Sequence, residues 1–478
     1  MIKQYKKNML GYYWFVFFGL SMSIILGFLI GTERYFIACA LIGFFALTLV
    51  FIKLLENPFW GILGITFFLP FERLPSLEIG GNTVKISYVL IILTLLAWLI
   101  KGLVERRLTL KFNPAFIILG LFLLVSFVSM SNTPNIVRSF TVLSLIILMA
   151  IAMFLFINLV DTKQKLQLVV KTLFISAITV LAYGFLQSIG DIVGLVPEVT
   201  GISARYSQSI LGFPRFQSTA LEPLYFANYL FIPLGLLIGM IAGNIGTQKS
   251  KSYQVILLFV CILALFLTVS RGGYLGFLVI ILVFLLIRFR KVFTSRIISI
   301  FFKTSIALVL ASILFFSITS LGNKAFLEIK NHLSLFSQKG SISERLGSYN
   351  EAIDLWRDHP VIGNGIASFG PLVADHSYEQ PEGGWPIVNN EYLEILTEQG
   401  LLGLIIFIGF LIYISSLAYW VYRFSEDRYL KYISLGLFLA FIGIVIQYSL
   451  FSTLYIIHLW ALLALIIICY KLSVEKRT

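Results

Sequence analysis

The sequence predicts an all-α integral membrane protein that crosses the bilayer many times. The chain has 478 residues, of which 59% are hydrophobic and only 12% are charged, whereas a soluble domain is about one-quarter charged. Uninterrupted apolar runs of about 18–20 residues recur along the chain, and this length matches a membrane-spanning helix. Because the runs do not alternate apolar with polar residues, they predict helices rather than barrel strands.

The apolar runs predict about 12–14 transmembrane helices. No small-residue cleavage site follows the first run, so we expect an uncleaved span rather than a signal peptide. The third run is short and lies between Pro58 and Pro70, which also allows a re-entrant segment. The predicted spans are 11–30, 35–53, 59–71, 86–101, 115–131, 139–159, 168–189, 224–243, 254–270, 272–288, 303–321, 400–421, 429–449 and 454–472.

The positive charges predict how these spans are oriented. A net charge of +13 can indicate nucleic-acid binding, but in a polytopic protein it reflects the excess of Lys and Arg in cytoplasmic loops. With the N-terminus inside, most of the 36 Lys and Arg residues fall on the cytoplasmic side. The two large loops, 190–223 and 322–399, then lie outside, and we expect any chemistry to be located there.

This orientation divides the chain into four predicted regions, and no internal repeat is visible among them. They are N-terminal transmembrane helices in 1–190, transmembrane helices with an outer loop carrying Arg215 and Arg271 in 191–321, a large extracytoplasmic loop in 322–399, and C-terminal transmembrane helices in 400–478.

The large loop contains a predicted amphipathic helix, SISERLGSYNEAIDLWRDHP. Ser341 and Glu344 have the spacing of a capping box, and Pro360 requires the helix to end near His359. The glycine-rich segment VIGNGIASFG that follows is expected to be a flexible loop. The predicted apolar face of the helix comprises Leu346, Tyr349, Ile353 and Trp356.

Three arginines on the predicted outer side are candidates for binding a pyrophosphate. Arg215 precedes a span, Arg271 lies in a tight turn between two spans, and Arg345 opens the amphipathic helix. The positive-inside bias works against cations on this side, and a guanidinium is well suited to bind phosphate through two parallel N–H donors. The alternative is that each arginine anchors the protein at the membrane interface or pairs with a glutamate.

Two residues are candidates for a general base. His376 lies in the polar segment VADHSYEQPEGGW, where Asp375 and Glu379 are available to orient its ring. Glu222, in ALEP, is the second candidate, and its alternative role is to pair with an arginine. No spacing typical of a metal site is visible, so no metal is expected.

The stretch VNNEYLEILTEQGLLG places three glutamates just before an apolar run. On a helix, Glu391, Glu394 and Glu398 share one face. With Asn389 and Asn390 they are candidates for binding glycan hydroxyls, and the glutamates are also candidates for pairing with the arginines. The alternative is the solvated face of an interfacial helix.

The segments ERLGSYNEAIDLWRDHPVIGNGIASFG and NNEYLEILTEQGLLGL, late in a chain of many spans, resemble the O-antigen ligase and Wzy-type polymerase superfamily. The resemblance covers about 200–420. It implies a GT-C-like membrane glycosyltransferase that works outside the bacterial cytoplasmic membrane on glycans carried by undecaprenyl pyrophosphate. It further implies that Arg271 and Arg345 bind the donor pyrophosphate. Arg215 followed by Glu222-Pro223 resembles the polymerase branch.

One residue departs from the ligase pattern. Ligases carry a histidine just before the asparagine of the motif, and this chain has Asn389 there. We therefore expect a polymerase that needs no soluble cofactor and takes its lipid-linked glycan donor and acceptor from the membrane. Expected partner proteins are a flippase and a chain-length regulator. The alternatives are a ligase that moves the finished glycan to a lipid or wall acceptor and a non-enzymatic transporter of lipid-linked glycans.

Overall fold

The fold was analysed in a computed structural model, which describes residues 35–74, 76–79, 82–106, 110, 112–207, 213–289, 341–374, 385–452 and 454–475. The predicted spans 11–30 and 303–321, and the candidate base His376, lie outside these residues.

The described residues form fifteen α-helices and one β-hairpin. The elements are α1 (Tyr35–Glu56), α2 (Phe59–Phe67), β1 (Ser76–Ile79), β2 (Asn82–Lys85), α3 (Ile86–Val104), α4 (Ala115–Ser129, extended by a short 3-10 turn, Met130–Asn132), α5 (Ile136–Leu159), α6 (Lys163–Ile192), α7 (Pro197–Thr200), α8 (Pro223–Ala242), α9 (Gln248–Leu267), α10 (Arg271–Arg288), α11 (Ser341–Asp358), α12 (Phe369–Leu372), α13 (Glu391–Phe424), α14 (Arg428–Gln447) and α15 (Ile457–Val474).

Ten of the described helices are long and apolar enough to cross a membrane. They are α3, α4 with its 3-10 turn, α5, α6, α8, α9, α10, α13, α14 and α15. The predicted fold class, an all-α polytopic membrane protein, is therefore confirmed. The antiparallel pair β1–β2, in which Ser76 is opposite Lys85, is an addition that the hydrophobic pattern did not predict.

The third predicted span is too short to cross the membrane as a helix. Helix α2 has nine residues, which rise by about 14 Å, whereas the hydrocarbon core is about 30 Å thick. The chain turns after Phe67, and the side chain of Ser176 on α6 donates a hydrogen bond of 2.5 Å to the Phe67 carbonyl. A side chain from another helix therefore satisfies a carbonyl at the end of this short helix.

The chain packs as two compact units. One comprises Met1–Gly61 and Leu93–Leu108, and the other comprises Ile62–Ile92 and Thr109–Thr478. The second unit contains all the candidate site residues that the structure describes. The division predicted at 190, 321 and 399 follows the predicted loops rather than packing, and it stays a prediction.

Helices α8, α14 and α15 form the centre of the larger unit. Their most apolar windows are 78%, 61% and 83% buried, against 22% for α9 and for α10. Helices α8 and α14 approach so closely that a Cβ added to Gly235 would lie 2.3 Å from the Gly436 carbonyl oxygen. Side chains on the buried helices therefore contact protein, whereas many side chains of α9 and α10 are exposed.

Helix α13 is kinked where the predicted lead-in meets the predicted span. Its 34 residues include Gly400, whose φ of 68° and ψ of −172° are not helical. A Cβ at Gly400 would lie 2.2 Å from the Val361 carbonyl oxygen, so only glycine fits this close approach. The kink separates an amphipathic segment that carries the three glutamates from the apolar segment beyond it.

The loop helix α11 is present, but its buried face differs from the predicted one. Its core is Ala352, packed with Phe369, Val373 and Val388, and Ser348 is also buried. The predicted face included Leu346, which is 56% exposed. Tyr349, from the predicted face, does pack against this core. The centre of the buried face differs from the prediction because it is formed by small residues, which the search for large apolar side chains passed over.

Candidate active site

Arg215 is held against the end of α9 by main-chain and side-chain hydrogen bonds. The Phe216 N–H donates to the Leu267 carbonyl at 2.9 Å. The Arg215 guanidinium donates to the carbonyls of Thr268 at 3.1 Å and Val269 at 3.2 Å, and it lies 5.4 Å from the centre of the Tyr206 ring. Burial lowers the pKa of this guanidinium, which nevertheless stays protonated because arginine pKa values lie above about 12.

The turn that Arg215 contacts also carries Arg271. Val269 has a φ of 49°, which is unusual for a β-branched residue. Ser270 then caps α10 by accepting a hydrogen bond from the Gly273 N–H at 3.1 Å. Arg271 is the first residue of α10 and is exposed. Two of the predicted arginines therefore lie on either side of one strained turn.

Arg345 and the start of α10 meet at the turn that follows α14. The Arg345 guanidinium donates to the Leu450 carbonyl at 3.3 Å. Next to Arg271, a Cβ added to Gly272 would lie 3.2 Å from the side chain of Gln447 and 3.6 Å from that of Leu450. The structure thus brings Arg215, Arg271 and Arg345 together around two neighbouring turns. We call this end of the bundle the arginine end.

Glu222 lies close to these arginines. It is the residue before α8, and its side chain makes no capping hydrogen bond to the helix. Its negative charge acts on Arg215 and on Tyr225. This placement is compatible with both predicted roles of Glu222, as a base and as an arginine partner, and each stays a prediction. The role of His376 also stays a prediction.

Asn389 and Asn390 shape the start of α13. Asn389 has a left-handed φ of 58°, and its N–H donates to Ser452 Oγ at 3.1 Å. The Asn390 side chain accepts hydrogen bonds from the N–H groups of Tyr392 and Leu393 at 3.1 and 3.2 Å, which caps the helix. These contacts give both residues a structural role, while glycan binding by either stays a prediction.

The three glutamates of α13 face the protein. Glu391 and Glu398 are 3% and 6% exposed, so the alternative of a solvated face is wrong. Glu394 accepts a hydrogen bond from the Val388 N–H at 3.3 Å. Glu398 accepts from the N–H groups of Ala367 at 2.7 Å and Phe369 at 3.2 Å. Both oxygens of Glu398 therefore hold the glycine-rich segment after α11.

That segment, 361–370, is not the flexible loop that its composition suggested. Asn132 donates to the Gly363 carbonyl at 2.9 Å, and Ser139 donates to the Ile366 carbonyl at 2.6 Å. The Gly365 N–H donates to the Glu398 carbonyl at 2.9 Å. Glycines are needed here because the backbone has positive φ angles, 76° at Gly363 and 103° at Gly365, and not because the segment is mobile.

Arg138 is a fourth arginine at this end, and the sequence analysis missed it. Its guanidinium donates to the Ala367 carbonyl at 2.9 Å and lies 5.4 Å from the centre of the Trp385 ring. Its charge acts on Glu394 and Glu398. The available signal was its position on the predicted outer side, which Arg138 shares with the other three arginines.

The fold and this site together define a polytopic helical membrane protein in which four arginines and several buried glutamates lie at one end of the bundle. A protein-family model described as O-antigen ligase matches residues 256–408. Arg271, Arg345 and the three glutamates fall within the match. It confirms the predicted resemblance to the O-antigen ligase and Wzy-type superfamily, and it supports a membrane enzyme that transfers glycans. No curated protein matches the chain.

Proposed function

We propose that this protein polymerises glycan repeats carried by undecaprenyl pyrophosphate. The reaction would take place at the outer face of the bacterial cytoplasmic membrane, and donor and acceptor would both be lipid-linked. A flippase and a chain-length regulator remain the expected partner proteins. The single observation that carries this proposal is the convergence of Arg215, Arg271 and Arg345 on two adjacent turns.

The charges of Arg215 and Arg345 are available to a ligand, since the contacts of both are made with main-chain carbonyls. Among the described residues, no carboxylate lies within ion-pair distance of Arg215 or Arg345, and their hydrogen bonds go to main-chain carbonyls. A guanidinium has five N–H donors, of which Arg215 uses two and Arg345 one in these contacts. The remaining donors suit a pyrophosphate, which accepts paired N–H groups.

In the proposed reaction a sugar hydroxyl of the acceptor attacks the anomeric carbon of the donor glycan. The bond from that carbon to the pyrophosphate oxygen breaks, and the oxygen keeps the electron pair. The arginines stabilise the negative charge that develops on the leaving pyrophosphate, because fixed cations need no reorganisation during the reaction. Glu398 and Arg138 are positioning residues that hold segment 361–370 beside the site.

The ligase reaction is the second candidate, because the matching family model is described as O-antigen ligase. Against it stands Asn389, where the ligase pattern has histidine. A carboxamide does not serve as a general base at neutral pH, and the left-handed φ of 58° at Asn389 is a conformation that asparagine adopts readily.

One reconstitution separates the candidates. The full-length protein in lipid nanodiscs is given one defined lipid-linked repeat unit. A ladder of longer lipid-linked products supports the polymerase, and transfer only after a second acceptor is added supports the ligase. No transfer under either condition, together with movement of the lipid-linked glycan across liposomes that contain the protein, would overturn the proposal in favour of a transporter.

A further inference from the structure

The short segment 450–452, which follows α14, contacts the arginines through its first residue. The Leu450 carbonyl accepts the hydrogen bond of the Arg345 guanidinium at 3.3 Å. The Leu450 side chain lies 3.6 Å from the position of a Cβ added to Gly272, which is the neighbour of Arg271. Residues next to Leu450 in the chain are therefore close to the proposed pyrophosphate site.

The last residue of this segment contacts a glutamate of α13. The Ser452 side chain hydrogen-bonds to Glu394, and Ser452 Oγ accepts a hydrogen bond from the Asn389 N–H at 3.1 Å. Since the Ser452 oxygen accepts from the main chain, its own proton is available to donate to the Glu394 carboxylate. One segment of three residues thus binds Arg345 at one end and Glu394 at the other.

A second set of hydrogen bonds joins Glu394 to the helix that carries Arg345. The Val388 N–H donates to Glu394 Oε2 at 3.3 Å. On α11, the Ser348 hydroxyl lies within hydrogen-bond distance of the Val388 carbonyl, at 3.2 Å, and of the Arg345 carbonyl, at 2.9 Å. Glu394 and Arg345 are therefore held together by two independent routes, one through segment 450–452 and one through Val388.

Glu394 differs from the other two glutamates of α13 in how much of it is accessible. Glu391 and Glu398 are 3% and 6% exposed, whereas Glu394 is only partly buried. Both oxygens of Glu398 accept hydrogen bonds from main-chain N–H groups. Of the three carboxylates, Glu394 is thus the one that a substrate in the site can reach, and it can exchange a proton with water.

The groups around Glu394 orient its carboxylate towards the substrate side of the arginine end. Burial opposes its charge, whereas the hydrogen bonds of Ser452 and Val388 and the positive charge of Arg138 favour it. The charges of Glu394 and Glu222 both act on Tyr225, whose ring lies 4.8 Å from the ring of Phe451, the middle residue of the segment. Glu394 therefore lies across this aromatic pair from Arg345.

We propose that Glu394 is the general base that takes the proton of the acceptor hydroxyl during glycosyl transfer. This inference rests on the proposed function. As the hydroxyl oxygen bonds to the anomeric carbon, its proton passes to the Glu394 carboxylate. The bond from that carbon to the pyrophosphate oxygen breaks, and the oxygen keeps the electron pair. The neutral Glu394 then returns its proton to water.

The spacing of Glu394 and Arg345 suits this direct displacement. The base and the leaving group must lie on opposite sides of one sugar ring, and glycosidases that use direct displacement keep their two catalytic groups about 6.5–9.5 Å apart. Two residues of chain span at most about 7 Å, which is the separation of Leu450 and Ser452. Glu222 is less suited, because its charge acts on Arg215, which places it on the leaving-group side.

The first variant that tests this role is Glu394→Gln. The glutamine oxygen can still accept from the Val388 N–H and from Ser452, so the thermal unfolding of the protein should not change. The amide cannot take up a proton, and loss of a general base costs about 100-fold or more in rate. We expect at least this loss in kcat, with an unchanged apparent KM for the lipid-linked glycan.

A matched control is Asp191→Asn. Asp191 is a buried carboxylate that accepts a hydrogen bond from Ser207, and it has no part in the proposed reaction. This variant should keep the wild-type rate.

The second variant, Glu394→Ala, separates a base from a structural residue. Alanine removes the carboxylate and leaves space for a small external base, so formate should restore part of the lost rate and approach a plateau as its concentration rises. Formate should have no such effect on wild type, on Arg345→Ala or on Glu222→Ala. A carboxylate that only holds Val388 and Ser452 in place would give no recovery with formate.

The assay uses full-length protein in nanodiscs and the lipid-linked glycan extracted from cells that lack this protein. A wild-type rate in Glu394→Gln, or no recovery of Glu394→Ala with formate, would overturn the inference while leaving the proposed function intact. Recovery of Glu222→Ala in place of Glu394→Ala would also overturn it, in favour of Glu222. An inactive wild type would overturn both the inference and the proposed function.

Discussion

The two ends of the helix bundle differ in how their cations are bound, although Arg428, at the end opposite to the arginines, also donates to a main-chain carbonyl, that of Gly243. At the end opposite to the arginines, Lys163 bonds to both oxygens of Asp427 at 2.7 and 3.0 Å, and Lys165 lies 2.8 Å from Asp161. At the arginine end, the guanidinium groups of Arg138, Arg215 and Arg345 donate to main-chain carbonyls and, among the described residues, pair with no carboxylate.

This difference separates structural charges from charges that remain available to a ligand. A carboxylate cancels the charge of the lysine that it binds, whereas a carbonyl dipole orients a guanidinium and leaves its net charge in place. Cations of the second kind are unfavourable near a membrane unless something balances them. An anionic substrate would provide that balance, which is why the arginine end is the proposed active site.

The prediction with the largest expected effect concerns membrane topology, because an introduced cysteine either reacts with the label or does not react. We expect a cysteine in place of exposed Asp358 to react with a membrane-impermeant maleimide in intact cells, and one in place of exposed Lys249 to react only after permeabilisation. The native residues Cys261 and Cys469 are buried, and the unaltered chain provides the background. The reverse pattern would place the arginine end in the cytoplasm and remove the proposed reaction.

Arginine substitutions should have the next largest effect. Lysine keeps the charge but loses the paired donors, so Arg271→Lys and Arg345→Lys should fall well below wild type and the alanine variants further. A lost contact to the developing charge costs about 2–4 kcal/mol, or about 30- to 1000-fold in rate.

Arg428 provides the matched control at the opposite end, since its Nε also donates to a carbonyl, that of Gly243, at 2.7 Å. Arg428→Lys should keep its rate per folded protein. Full specific activity in Arg271→Ala and Arg345→Ala would leave the pyrophosphate role unsupported.

A smaller effect, on the stability of the fold, is expected from a substitution in segment 361–370, which packs against α13. Gly363 has a φ of 76°, and a Cβ there would lie 2.3 Å from the Glu398 carbonyl carbon. Gly363→Ala should lower the free energy of unfolding by about 1–3 kcal/mol or more, measured by thermal unfolding in detergent. Gly409→Ala is the control, because no atom lies within 4 Å of its added Cβ. Equal stability of the two variants would contradict the tight docking.

The smallest expected effect is that of chelators. If arginines provide the positive charge that a metal supplies in other enzymes, glycan transfer should continue at the same rate in EDTA. Among the described residues, no group of three or more His, Cys, Asp and Glu side chains is placed to hold a metal ion. Activity that EDTA abolishes and magnesium or manganese restores would refute this use of the arginines.

Several features of the site follow from local sequence. The arginines were found because they oppose the charge bias of membrane loops, and the end of α11 follows from Pro360, whose preceding residue is disfavoured in a helix. The start of the predicted span at residue 400 coincides with the kink at Gly400, although the kink itself was not predicted. Each of these signals depends on a few neighbouring residues, so a single sequence is enough to show them.

Other features of the site could be recognised only in the tertiary structure. Glu398 looked like a sugar-binding or solvated residue, yet it holds Ala367 and Phe369. Arg138 lies more than two hundred residues before the segment that it contacts. The buried face of α11 is centred on Ala352, whose small side chain gives little hydrophobic signal.

The sequence by itself determined that this protein is a bundle of membrane helices and predicted the side on which each loop lies, because hydrophobic length and charge bias are properties of short segments. Only the tertiary structure decided which charges meet. Arg345 reaches Leu450, and Glu394 reaches Ser452, across long stretches of chain. Such contacts depend on how helices pack against one another, and no local pattern of residues encodes that arrangement in a form that can be read from one sequence.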